Sequence, residues 1–248
     1  MTFWDHLDVL RGSLFRALAV TLAVSVGLFF FKEFLFDGLI LAPTRGDFFV
    51  YRWLGISSGL SLVNIEVAAQ FITHIKVTFL CALILCTPYL LFEIWRFVAP
   101  ALYAREKRAT RRAFLLSAGL FYLGLAIGYV VVLPLMVNFF QGYSISDSVT
   151  NTISLTSYMS TFYSTVLLFG LVFEIPVLLA LLSRLGLVTR RMLRRGWRYA
   201  VLTVVVLAAV ITPSGDPFSL MVVSLPLFLL YMLGIALCRD PEKEEAAA

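Results

Sequence analysis

Glu106 is the only carboxylate in the stretch Phe97–Arg112, FVAPALYAREKRATRR, and Arg105, Lys107 and Arg108 flank it. The stretch is a short basic loop between two long apolar segments. Lys and Arg beside a membrane span set its orientation, and a carboxylate adds nothing to that work. A lone Glu set behind Pro-Ala-Leu-Tyr therefore points to a site for a cationic ligand. Acids also cluster at the N-terminus, at Asp5 and Asp8. Two acidic positions facing one another could hold two guanidinium groups through charge-assisted hydrogen bonds. The planar fork of Arg suits such carboxylates better than the point charge of Lys.

Other ionisable groups fall inside apolar segments, where they are costly and need a reason. Glu174, in FGLVFEIPVLLALL, is the deepest, and Pro176 follows it. It reads either as a proton-sensitive or partner-binding group, or as a hydrogen-bonded Glu holding helices together. Lys76 is expected to snorkel to the outer interface. Glu93 has Arg96 three residues on, which reads as a local ion pair. Asp216 falls in TPSGDP, where Asp is ordinary turn chemistry. Gln70 and Asn138 read as interhelical or interfacial polar groups. Catalysis finds little support: there are two histidines, His6 expected on the cytosolic side and His74 near the outer surface. No nucleophile-elbow, zinc-protease or phosphate-loop motif is present. Cys81, Cys86 and Cys238 have no metal or disulfide spacing, and nothing calls for a cofactor.

The elements that must position these groups are apolar helices. The chain is 60% hydrophobic and 14% charged, with a mean hydropathy of +0.93; soluble domains carry about one-quarter charged residues. This is the composition of an all-α polytopic membrane protein. The net charge of +5 fits a positive-inside bias and not a nucleic-acid partner. Six spans are expected: about Leu14–Phe31, Val67–Phe97 with Pro88 inside, Phe114–Val137, Phe162–Leu185, Tyr199–Ile211, and Phe218–Cys238 with Pro226 inside. The second exceeds the ~30 Å hydrocarbon core and the fifth falls short of it, so the fifth and sixth form a short hairpin.

Loop charge alternates. Arg11, Arg16, the Arg105–Arg112 cluster, Arg184–Arg198 and Arg239 share one side, which places both termini in the cytoplasm of a cell inner membrane. Residues 1–248 read as a single domain. An interfacial amphipathic helix spans about 1–13, with Phe3, Leu7, Leu10 and Leu14 on one face. An outer cap loop covers about 37–66, and a disordered tail about 240–248. The N-terminus has no basic leader region or cleavage site, so the first span is expected to stay as an anchor. Phe139–Ser160 reads as a polar outer connection.

HLDVLR, FITHIKVTF, TPYLLFEIWRFVAPALYAREKR, FGLVFEIPVLLALL and ITPSGDPFSLMVVSLPLFLLY, in that order, together resemble the TatC family, the multi-spanning receptor subunit of the twin-arginine protein translocase. The resemblance implies a protein that binds signal peptides carrying an Arg pair. It would export folded precursors with single-span TatA- and TatB-type partners, driven by the proton-motive force, within a larger, homo-oligomeric complex. By position, Glu106 matches the carboxylate that contacts the Arg pair, with Phe97, Pro100 and Arg105 in the surrounding block. Glu174, Lys76 and Asp216 match the family's fourth-span Glu, second-span Lys and last outer-turn acid. The family's usual HLxELR is HLDVLR here, with Val9 in place of a Glu that helps to bind the Arg pair; Asp8, or else Asp5, is expected to take over that charge. His74 stands where the family often has Pro. The alternative reading is a proton-coupled small-solute transporter using Glu174.

Overall fold

The structure is a computed structural model that describes residues 3–54, 59–98, 107–146, 148, 151–212 and 215–238. Helix dominates it. The order is α1 (Phe3–Phe29), a π-helical segment Phe34–Ile40, a 3-10 turn Ala42–Thr44, α2 (Phe49–Leu54), β1 (Leu62–Val63) and α3 (Ala69–Val98). Then come α4 (Lys107–Ile127), a π-helical segment Gly128–Val132, α5 (Leu133–Gly142), β2 (Ile153–Ser154), α6 (Leu155–Val172) and α7 (Ile175–Arg184). The chain ends in α8 (Arg190–Arg195), α9 (Trp197–Ile211) and α10 (Pro217–Leu237).

Among the described residues, five stretches are long and apolar enough to cross a membrane: Asp8–Phe29, Ala69–Ile94, Leu115–Gly142, Leu155–Arg184 and Pro217–Leu237. The shorter apolar α9 stands where a fifth span is expected. Its 15 residues give about 22 Å of helix, against about 45 Å for the 30 residues of α3. The boundaries differ from the expected ones in three places. The N-terminal segment and the first span form one helix, α1, with no break near residue 13. The third span runs on through Gly142, and its π-helical segment sits just ahead of Pro134, whose ring cannot continue an ordinary α-helical ladder. The fourth starts at Leu155, seven residues early, and is interrupted at Phe173–Glu174. Pro176 explains that interruption, because it has no N–H for the Val172 carbonyl one turn back.

The chain divides into two compact units, residues 1–118 with 144–159 and residues 119–143 with 160–248. In the first, α1 lies along α3. Its other part is a small cap that gathers the segment after α1 and the start of α6. Tyr51 donates to the Pro43 carbonyl at 2.8 Å and Tyr158 to the Ile40 carbonyl at 2.7 Å, both buried. A two-residue parallel ladder pairs Leu62 with Ile153 and Val63 with Ser154.

The second unit packs α4 and its π-helical continuation closely against α6. A Cβ on Gly124 would lie 2.6 Å from the Phe169 carbonyl oxygen and 2.7 Å from Phe173 Cγ. One on Gly128 would lie 3.1 Å from the Thr165 carbonyl oxygen. Gly124 and Gly128 form a GxxxG pair, the small-residue pattern that lets membrane helix backbones approach. On the facing helix, a Cβ on Gly170 would lie 3.0 Å from Phe121 and Leu125 side-chain atoms. The turn before α10 uses Gly215 at φ +58°, then Asp216 as N-cap and Pro217 in the first turn.

Candidate functional site

The helix α3 ends at Val98 and α4 begins at Lys107. Phe97 occupies the last turn of α3. Pro100, Arg105 and Glu106 lie outside the described residues.

The contact that ties α1 to the last turns of α3 joins Arg16 to Glu93. Arg16 Nη2 donates to Glu93 Oε2 at 3.0 Å and its Nε donates to Oε1 at 3.2 Å, a two-point guanidinium–carboxylate pair. Arg16 Nη2 also donates to Ser13 Oγ at 3.1 Å, and Tyr89 Oη donates to Glu93 Oε1 at 3.0 Å. Glu93 is 4% exposed, so its charge is held by these donors and not by water. This overturns the local pairing expected for Glu93: its guanidinium partner is Arg16, 77 positions away, while Arg96 on the next turn is exposed. Sequence spacing shows only same-helix neighbours, so nothing in the local pattern announces the pair.

The pair fixes which face of α1 meets α3. At about 100° per residue, Val9 falls about 20° from the direction of Arg16. Asp8 falls about 80° away and is exposed. Val9 is 40% exposed. Helical register therefore puts Val9 on the side of α1 that runs along α3 and Asp8 a quarter-turn off it, while the Asp5 side chain lies outside the described residues.

The remaining candidates lie elsewhere. Lys76 is exposed on α3, 17 residues and about 26 Å along the helix from Glu93, so the two mark opposite ends of one span. Glu174 sits at the α6–α7 break and is half-buried; its carbonyl accepts from the N–H groups of Val177 and Leu178 at 3.1 and 3.0 Å and so starts α7. Asp216 accepts from the Ser219 N–H at 2.9 Å, which makes it the cap of α10. Among the described residues no cluster of His, Cys, Asp or Glu could hold a metal ion.

Residues 5–226 match the family model described as Sec-independent protein translocase protein (TatC). A TatC protein of Deinococcus radiodurans is 36% identical over 99% of this chain and 90% of that relative. One from Escherichia coli is 30% identical over 94% and 86%. A crystal structure described as the twin-arginine translocase receptor TatC superposes with a TM-score of 0.77 at 30% identity, covering 94% of this chain and 97% of its own. A second, in DDM, gives 0.80 at 29% identity over 95% and 100%.

Proposed function

The chain belongs to the TatC family, and from that premise we propose that it is the twin-arginine signal peptide receptor and core translocase subunit of a cytoplasmic membrane. It exports folded precursors with the proton-motive force as driver. The observation that carries this is the family match from residue 5 to residue 226 together with the shared fold over almost the whole length of the solved receptors. The chain is a transport component and not an enzyme. Its partners are single-span TatA- and TatB-type subunits and precursors with an Arg pair, and its oligomer is part of a larger complex. The Lys/Arg pattern supports a multi-pass arrangement with both termini in the cytoplasm.

On this reading Glu106 accepts one guanidinium of the Arg pair and an acid of α1 accepts the other, with Phe97, Pro100 and Arg105 as the loop around Glu106. Helical spacing favours Asp5 over Asp8 as the second acid, because position 5 lies one turn from Val9, which takes the place of the family's Glu, and position 8 is rotated from it by about 100°. Glu174, Lys76 and Asp216 remain polar positions shared with the family. Solute transport through Glu174 has no observation in its favour.

The test is site-specific crosslinking of the protein in membranes to a precursor with an Arg pair, against the same precursor with Lys-Lys. Glu106→Ala should abolish the difference between the two precursors. An unchanged preference for the Arg pair removes Glu106 from the site.

A further inference from the structure

The first unit holds a cavity of about 640 Å³ at the junction of α1, α3 and the cap, within the range of ~300–1,000 Å³ usual for ligand pockets. Its wall includes Lys32, Glu33 and Asp37 from the segment after α1, and Gln70 and His74 from the first turns of α3. The apolar stretches Asp8–Phe29 and Ala69–Ile94 end and begin at this level, so the cavity lies at the boundary between hydrocarbon and water.

Three observations ask for a ligand there. Among the described residues neither Lys32 nor Glu33 has an ion-pair partner, whereas Asp37 meets Arg45 at 3.8 Å. The His74 ring stacks on Phe29 at 4.1 Å with Phe36 edge-on at 5.7 Å. Its Nε2 atom is closed off from water with no hydrogen bond among the described residues, a rare state for a buried polar atom. Phe71 in the cavity wall and Phe30, Phe31 and Phe34, next to Lys32 and Glu33 in the sequence, are 63, 78, 63 and 72% exposed, an apolar aromatic surface next to the charged groups.

We propose that this cavity binds a phosphate–ammonium zwitterion, supplied by a phospholipid with an ethanolamine headgroup. Lys32 takes the phosphate oxygens beside the stacked His74 ring, Glu33 takes the ammonium, and the exposed phenylalanines carry the acyl chains. With Asp37 already facing Arg45, the charges left over are one positive and one negative, which matches a zwitterion and not an anionic lipid. Glu33 and the Gln70 amide oxygen can accept the N–H groups of a primary ammonium, and a trimethylated choline has none to give. The aromatic rim and the depth distinguish a lipid from free phosphoethanolamine.

Native mass spectrometry of the full-length detergent-purified protein, titrated with single lipids, reads the site. Phosphatidylethanolamine should form a retained adduct at about fivefold lower concentration than phosphatidylcholine or phosphatidylglycerol. Glu33→Gln, an exposed change that leaves the thermal midpoint in place, should weaken the ethanolamine lipid about threefold and erase its advantage over choline. Lys32→Gln should weaken both zwitterionic lipids about threefold. Equal binding of ethanolamine and choline lipids overturns the proposal, as does tighter binding of phosphatidylglycerol or an undiminished preference in Glu33→Gln. Displacement of the lipid by an equal concentration of soluble phosphoethanolamine overturns the lipid as the source.

Discussion

Replacing Gly124 with Ala tests whether the close approach of α4 and α6 is a necessity of the fold. The added Cβ would stand 2.6 Å from the Phe169 carbonyl oxygen and 2.7 and 2.8 Å from Phe173 Cγ and Cβ, where ordinary contact begins near 3.4 Å. The side chain of Phe173 can turn, but the backbone oxygen yields only if α6 backs away by roughly the 0.8 Å shortfall. Overpacking of this kind costs about 1–3 kcal/mol. Gly119 lies on the same helix with nothing within 4 Å of its would-be Cβ. Both substitutions gain the same helix propensity, up to about 1 kcal/mol, so the gap between the two variants isolates the steric cost. At about 2–4 °C per kcal/mol for a chain of this size, Gly124→Ala should unfold roughly 2–12 °C below Gly119→Ala. The assay is thermal unfolding in a mild maltoside, followed by loss of the monodisperse species. Coincident midpoints would refute the argument that backbone contact at Gly124 sets the helix spacing.

Reversing the long-range pair is informative in combination: Glu93→Arg and Arg16→Glu should each lower both the thermal midpoint and precursor crosslinking, and the double variant should regain part of both. A double variant no better than the worse single one would show that the pair is not the contact that matters. Asp5→Asn should weaken crosslinking to an Arg-pair precursor about tenfold, the loss of one charge-assisted bond, and Asp8→Asn should change it little; the reverse order would place the second acid on the other face of α1. Asp216→Ala should cost about 1 kcal/mol through loss of the α10 cap, measured by unfolding, and Asp216→Asn should retain most of it. Tyr158→Phe leaves the Ile40 carbonyl without its donor in the buried cap and should cost about 1–2 kcal/mol in the same unfolding measurement.

Apolar helices were legible because they require only composition and length, and α3, α9 and α10 start and stop within two residues of where the apolar runs do. The helix boundaries that were missed lie where burial inside the protein, and not lipid, sets the pattern. The residues Leu155–Ser160 look like a polar connection, yet they begin α6 because Tyr158 and Met159 turn into the cap. The ladder of β1 and β2 has two residues on each side, too few for alternation to be read. The Gly124–Gly128 pair was readable as GxxxG, but the pattern gains meaning only with a facing helix.

The candidate site divides in the same way. Glu106 stands out in one dimension because its neighbours are all of the opposite charge. The second acid cannot be found by similarity of position, since Val9 occupies it; it needs a direction, and direction comes from Arg16. A guanidinium half exposed on α1 and a carboxylate sealed on α3 can meet only if one face of α1 is turned to α3. That choice carries down the helix through Ser13 to Val9. On the proposed reading, Asp5, one turn earlier in the sequence, supplies the charge that Val9 lacks. Moving a carboxylate four residues along a helix changes its height by about 6 Å but its direction by only about 40°. A ligand with two adjacent guanidinium groups on flexible side chains tolerates the first change far better than the 100° turn that a shift to Asp8 requires.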